Sequence, residues 1–119
     1  MLKGLRTVAY PVKDLKKATM WYSGILGFGP YYEEDYYVGF NVGGYELGLL
    51  PEGEPAVAGS VVYWAVDDIH DAWDRIILAG ASPNEEIMHV GGEVYVATVN
   101  DPFGNLLGII QNPNFKAEP

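Results

Sequence analysis

The chain has 119 residues, enough for one compact domain, and its 49% hydrophobic and 19% charged content excludes a disordered, collagenous or coiled-coil protein. Seven basic side chains against sixteen acidic ones leave a net charge of −9, with no basic cluster to offset it, which disfavours nucleic acid and anionic membrane surfaces as partners. The absence of cysteine removes disulfides, thiolate nucleophiles, iron–sulfur clusters and cysteine zinc sites. With no signal-peptide stretch in Met1–Arg6, and no apolar run approaching the ~20 residues of a membrane span, it predicts a cytoplasmic protein.

A short β-rich run over Leu5–Val12 opens the chain. Asp14 is then placed to cap a helix whose apolar positions Leu15, Ala18, Tyr22, Ile25 and Leu26 follow helical spacing, and Gly27 supplies the stop. Three strands are predicted near Pro30–Glu34, Tyr36–Val42 and Tyr45–Leu50, with Gly43-Gly44 turning the last pair. Pro51–Gly59, with two prolines and two glycines, reads as a linker. The same order then recurs. A β-rich run over Gly59–Val66 leads to a cap at Asp67 or Asp68. The next helix presents Ile69, Ala72, Trp73, Ile76 and Ile77, and stops at Gly80. Strands follow near Glu85–His89, Glu93–Val99 and Asn105–Gln111, the last two joined by the turn Asp101-Pro102-Phe103-Gly104-Asn105. The tail from Asn112 shows no periodicity.

Two matched pairs in the same order mark a duplication. Leu5–Leu15 sets against Gly59–Ile69, and Glu46-Leu47-Gly48-Leu49-Leu50 against Leu106-Leu107-Gly108-Ile109-Ile110. The expectation is an α+β chain forming a single domain over 1–119. It comprises module one at 3–50, a linker at 51–59, module two at 60–112 and a tail at 113–119, each module being βαβββ.

This order resembles the vicinal oxygen chelate superfamily, which includes glyoxalase I, extradiol dioxygenases, fosfomycin-resistance enzymes and bleomycin-binding proteins. The resemblance rests on Val12-Lys13-Asp14-Leu15, on Trp21-Tyr22-Ser23-Gly24-Ile25-Leu26-Gly27-Phe28 and on the Asp101–Asn105 turn. It implies the glyoxalase/bleomycin-resistance fold, with curved mixed sheets around a cleft and helices outside. It also implies a homodimer. Metal-using members carry ligands on the first and last strand of each module, usually His or Glu. Those positions fall here on Thr7, Gly48, Val61 and Gly108. Three have no donor side chain and one threonine hydroxyl is weak alone, so no metal and no cofactor are expected. Glycine at two of the four is expected to leave open volume for a ligand.

The candidate ligand-binding cleft comprises Thr7, Ala9, Tyr37, Glu46, Gly48, Val61, Tyr63, His89, Tyr95, Leu106 and Gly108. Glu46 shares strand parity with Gly48 and should be its main charge, while Leu47 and Leu49 pack against the helix. Tyr10 and Trp64 should face the helices, and Tyr63 the cleft. Tyr37 and Tyr95 are candidates for the same face, and His89 for the cleft mouth as an acid, base or hydrogen-bond donor. His70 is expected on the solvated side of the second helix. The stretch Tyr31–Tyr37, which interleaves phenols and carboxylates, reads either as an exposed charged edge or as an aromatic, acidic rim for a planar or cationic ligand. The leading functional expectation is a metal-free protein that binds a small molecule, one subtype being the sequestration of a planar or cationic compound. The alternative is a lyase, isomerase or dioxygenase of the same superfamily.

Overall fold

The computed structural model describes residues 7–55 and 61–113. The chain divides into two compact units, Met1–Pro55 and Ala56–Pro119. The expected module start at Lys3, the linker residues from Ala56 onward and the tail from Asn114 lie outside the described residues.

The first unit runs β1 (Thr7–Pro11), α1 (Leu15–Leu26), β2 (Tyr32–Glu34), β3 (Tyr37–Val42) and β4 (Tyr45–Leu50). Its sheet has the order β1-β4-β3-β2, with β1 parallel to β4 and the other pairs antiparallel. The Asp14 carboxylate caps α1 by accepting from the Lys17 N–H at 3.1 Å, and Gly27 ends it at φ 85°. Gly43 and Gly44 both take positive φ, 61° and 91°, which suits a two-residue hairpin between β3 and β4.

Alternation along β3 and β4 sends Val38, Phe40, Leu47 and Leu49 to the helix side, where all four are buried. Ala18, Thr19 and Tyr22 of α1 are buried too, and the Tyr22 ring lies 6.1 Å from that of Tyr10. Each large apolar side chain buried this way contributes about 2 kcal/mol.

The second unit repeats the order: β5 (Tyr63–Ala65), α2 (Ile69–Leu78), β6 (Ser82–Gly91), β7 (Val94–Asn100) and β8 (Leu106–Gln111). Its sheet order is β5-β8-β7-β6, with β5 parallel to β8. The registers correspond as well. Ala9 stands opposite Gly48, and Tyr63 opposite Gly108. Asp68, rather than Asp67, caps α2, accepting from the N–H groups of His70 and Asp71. The helix closes in a Schellman pattern. The Gly80 N–H donates to the Ile77 carbonyl and the Ala81 N–H to the Ile76 carbonyl, with Gly80 at φ 116°.

The Asp101–Asn105 turn is held by one buried side chain. Asp101 Oδ1 accepts the N–H of Phe103 at 2.9 Å and of Asn105 at 2.8 Å. β6 is longer than its apolar pattern indicated. It is an edge strand, exposed on nearly every residue, and its pairing with β7 carries three register irregularities. No helix among the described residues is long and apolar enough to cross a membrane.

Candidate functional site

The face of the first sheet turned away from α1 is set by alternation. β1 contributes Thr7 and Ala9, both exposed, and β4 contributes Glu46 and Gly48. β3 contributes Tyr37, Gly39 and Asn41, and β2 contributes Tyr32 and Glu34. Thr7 pairs with Glu46, Ala9 with Gly48, and Gly48 with Gly39. Two glycines side by side in neighbouring strands leave a trough with no Cβ on its floor.

That trough is occupied by phenols. A Cβ built on Gly48 would lie 2.1 Å from the Tyr37 hydroxyl oxygen and 2.7 Å from its Cζ. A Cβ on Gly39 would meet Glu46 Oε1 at 3.2 Å and Tyr31 Cε1 at 3.4 Å. The Tyr37 hydroxyl donates to Glu46 Oε2 at 2.5 Å, and the Tyr31 hydroxyl donates to Glu46 Oε1. The expectation of open volume at Gly48 is therefore corrected: the missing side chain makes room for Tyr37, which Glu46 holds in place. The second unit shows the same correction. A Cβ on Gly108 would meet Tyr63 Cδ1 at 2.7 Å and the Val62 carbonyl oxygen at 2.9 Å, so Tyr63 covers that glycine.

The electrostatics follow from these contacts. The hydrogen bond from Tyr31, followed by that from Tyr37, holds the Glu46 carboxyl below its ordinary value, against a smaller opposing effect of desolvation. Burial first, then the hydrogen bond to Glu46, pushes the Tyr37 phenol up to about 12. Tyr31 is raised chiefly by its bond to Glu46, and Tyr32 is pushed up to about 12 by its hydrogen bond with Tyr36. Glu46 is thus a half-buried carboxylate satisfied by two neutral donors. The ion pairs among the described residues are Lys13–Glu54 and Arg75–Asp71, so Glu46 has no cationic partner among them.

Other expected site residues are placed differently. Val61 precedes β5 rather than lying in it. Leu106 and Gly108 share a face with Tyr63, and both are buried. Tyr95 and His89 do not share that face. Tyr95 stands opposite Gln111 and alternates with Ala97 and Val99, whose partners are Ile109 and Leu107, so it lies on the helix-side face; His89 pairs with Tyr95. The His89 ring sits 5.0 Å from the Tyr95 ring, and its Nε2 bonds the Gly92 carbonyl at 2.6 Å, which ties down the β6–β7 turn. His70 is exposed on α2, as expected. An open recess of about 450 Å³ beside the start of α1 is lined by Lys13, Lys16, Glu33 and Asp35 among others. Its lining mixes lysines with carboxylates, and Lys13 there pairs with Glu54 at 2.8 Å.

The metal positions implied by the family resemblance do not fit a divalent ion. Thr7 stands alone as a hydroxyl, two positions are glycines lying beneath phenols, and Val61 has no donor. Among the described residues, no group of three or more His, Cys, Asp or Glu gathers as a metal set. Sequence reasoning missed the pairing of Tyr31 with Glu46 and the role of Gly39. The signal present was the spacing Tyr37-x-Gly39 facing Glu46-x-Gly48 across a two-glycine turn.

Comparison with known proteins agrees with this architecture. A glyoxalase-related enzyme from Fulvimarina pelagi superposes with a TM-score of 0.81 at 14% identity, covering 98% of this chain and 94% of that one. A lactoylglutathione lyase from Agrobacterium tumefaciens gives 0.76 at 17%, covering 99% and 100%. A genomically encoded fosfomycin resistance protein from Listeria monocytogenes gives 0.77 at 20%, covering 96% and 97%. At these identities the likeness concerns the fold alone. No curated protein sequence matches the chain significantly. The model of the Glyoxalase/Bleomycin resistance protein/Dioxygenase superfamily matches residues 4–109, and with nine-tenths of its length inside that match the chain belongs to this superfamily.

Proposed function

We propose that the chain is a metal-independent small-molecule-binding protein that takes up an organic cation on the helix-free face of its first unit, acting as a homodimer. The observation that carries this reading is Glu46. Its carboxylate is ionised, half-buried and held by the Tyr31 and Tyr37 hydroxyls, with no cation paired to it among the described residues. A partly desolvated charge of this kind is stabilised by an opposite charge, and a carboxylate already oriented by two donors loses little freedom on meeting one. The net charge of −9 favours the approach of a cation.

A lyase or isomerase reading needs a group that exchanges protons near neutrality. Here the carboxyl is shifted down and the phenols up, away from that range. The dimer reading is supported by the family and by the exposed edge strand β6, whose one partner strand among the described residues is β7.

The test is a thermal-shift panel of organic cations and their neutral analogues. A ligand at a hundred times its Kd adds about 2.7 kcal/mol, which raises the melting temperature by several degrees. Glu46→Gln should weaken a cationic hit and leave a neutral one unchanged. A panel in which cations give no shift, or in which both classes weaken equally, overturns the reading.

A further inference from the structure

Glu46 is not the whole of that face. Gly39 lies at the centre of a ring of aromatic side chains. Tyr31 reaches over it to Glu46, Tyr32 is its cross-strand partner, and Tyr37 is two residues away on the same strand face. The rings of Tyr32 and Tyr37 are 6.3 Å apart and inclined at 54°, and those of Tyr32 and Tyr36 are 6.3 Å apart at 69°. Steeply inclined rings at this spacing make corners rather than a stack.

The corner is braced and open. The Tyr32 and Tyr36 hydroxyls bond each other, and the Tyr37 hydroxyl is fixed on Glu46. Yet Tyr31 is 63% exposed, Tyr36 65% and Tyr32 38%, so ring surface faces solvent. Exposed phenol rings held by hydrogen bonds beside a carboxylate combine negative ring faces with a negative charge. A cation carrying N–H groups gains mainly from hydrogen bonds to the carboxylate. A cation whose nitrogen is covered by methyl groups gains instead from ring faces within about 6 Å of its charge, and loses less hydration on binding.

Resting on the proposal that this face takes a cation, we infer that the cation is a methylated ammonium, caged by Tyr31, Tyr32, Tyr36 and Tyr37 on the solvent side of the Gly39–Gly48 trough, which Tyr31 and Tyr37 themselves fill, with Glu46 as counter-ion. Both oxygens of Glu46 already accept a phenol, which leaves the carboxylate better suited to a diffuse charge than to a bidentate donor. Burial, then the bond to Glu46, raises the Tyr37 phenol to about 12, and the bond with Tyr36 raises Tyr32 to about 12, so these two rings add no charge to a face that carries Glu46 and Glu34.

The experiment is calorimetric titration of the whole protein with three probes: choline, ethanolamine, which carries N–H in place of each methyl group, and the neutral alcohol of choline's size in which carbon replaces the quaternary nitrogen. The expected order is choline first, by about tenfold over each of the others, the scale of one or two ring–cation contacts. Tyr32→Leu and Tyr36→Leu alter exposed side chains and should leave the fold intact. Each should weaken choline about fivefold and ethanolamine less than about twofold, while Glu46→Gln should weaken both cations. Ethanolamine binding as tightly as choline, or choline binding unmoved by both leucine variants, overturns the cage and leaves the Glu46 reading standing. The neutral alcohol matching choline, or neither cation binding, overturns both.

Discussion

Replacing Gly48 with alanine tests whether Tyr37 is seated where the glycine lacks a side chain. The new Cβ would fall 2.1 Å from the Tyr37 hydroxyl oxygen and 2.8 Å from its Cε1, well inside contact distance. The obstacle is the far end of a side chain, so Tyr37 can swing out, breaking its bond to Glu46. A hydrogen bond to a charged group is worth about 1.5–3 kcal/mol, and partial exposure brings this one toward 1. Lost ring packing adds about 1, while removing a strand glycine returns about 0.5–1. The net expectation is a destabilisation of about 1 kcal/mol, measured by urea unfolding with an unchanged m-value.

The sharper readout is the cycle with Tyr37→Ala. Once the ring is gone, the three nearest obstacles to the alanine at 48 go with it, so Gly48→Ala in that background should stabilise by about 0.5–1 kcal/mol. The sign reverses, giving a coupling of about 1.5–2 kcal/mol. Effects that add within about 0.3 kcal/mol would refute the seating of Tyr37 on Gly48.

Gly108→Ala should be costlier, about 2–4 kcal/mol, because its Cβ would meet the Val62 carbonyl at 2.9 Å, and that carbonyl accepts the Gly108 N–H. A cost equal to that of Gly48→Ala would count against this geometry. Acid unfolding should report Glu46: its folded value lies below the unfolded one, so its contribution is present above about pH 4.5 and is lost as pH falls through the folded value. Glu46→Gln should flatten that stretch of the stability curve. At the alkaline end the sign is opposite. The Tyr37 contribution is complete below pH 10 and lost as pH rises toward about 12, so Tyr37→Phe should remove one late-titrating phenol from the tyrosinate absorbance curve. Nickel, zinc or manganese at micromolar concentration should leave the melting temperature of the dialysed protein unmoved, and a large shift that Glu46→Ala abolishes would contradict the reading. Light scattering should give twice the 13.1 kDa chain mass; a monomer would remove the dimer.

Much of the framework was legible because its signals are local. Asp14 and Gly27 bracket α1, Gly43-Gly44 fixes the hairpin, and β4 runs over the expected residues Tyr45–Leu50. The parity of Glu46 against Leu47 and Leu49 was also readable, since only one parity is apolar there. Parity failed for Tyr95. Along β7 both sets are of similar character, Val94, Val96 and Thr98 against Tyr95, Ala97 and Val99, so only the pairing with β8 tells which set faces the helix. The length of β6 was hidden because a strand exposed on both faces and paired on one edge has no hydrophobic period to read. Gly48 was misjudged for a different reason. A glycine in a sequence reports that a Cβ is absent, whereas what enters the space depends on a neighbouring strand's register.

The repeat shows what that register decides. Each unit has a glycine at the same place in its last strand, between the equivalent positions of two neighbours: Ala9 and Gly39 beside Gly48, and Tyr63 and Thr98 beside Gly108. In both units a tyrosine covers the glycine, but it comes from the third strand in one and from the first strand in the other. A single trough holds one ring, so the position across the glycine from the strand that supplies it is smaller, Ala9 in one unit and Thr98 in the other. Two residues before each glycine the units diverge in charge, Glu46 in one and the buried Leu106 in the other. Tyr37 therefore gains a charged acceptor that Tyr63 lacks, and the carboxylate that orients it is the group a cation would meet. The duplication conserves the packing of a ring on a glycine and confines the charge to one copy, which is why the cation-binding chemistry is assigned to the first unit alone.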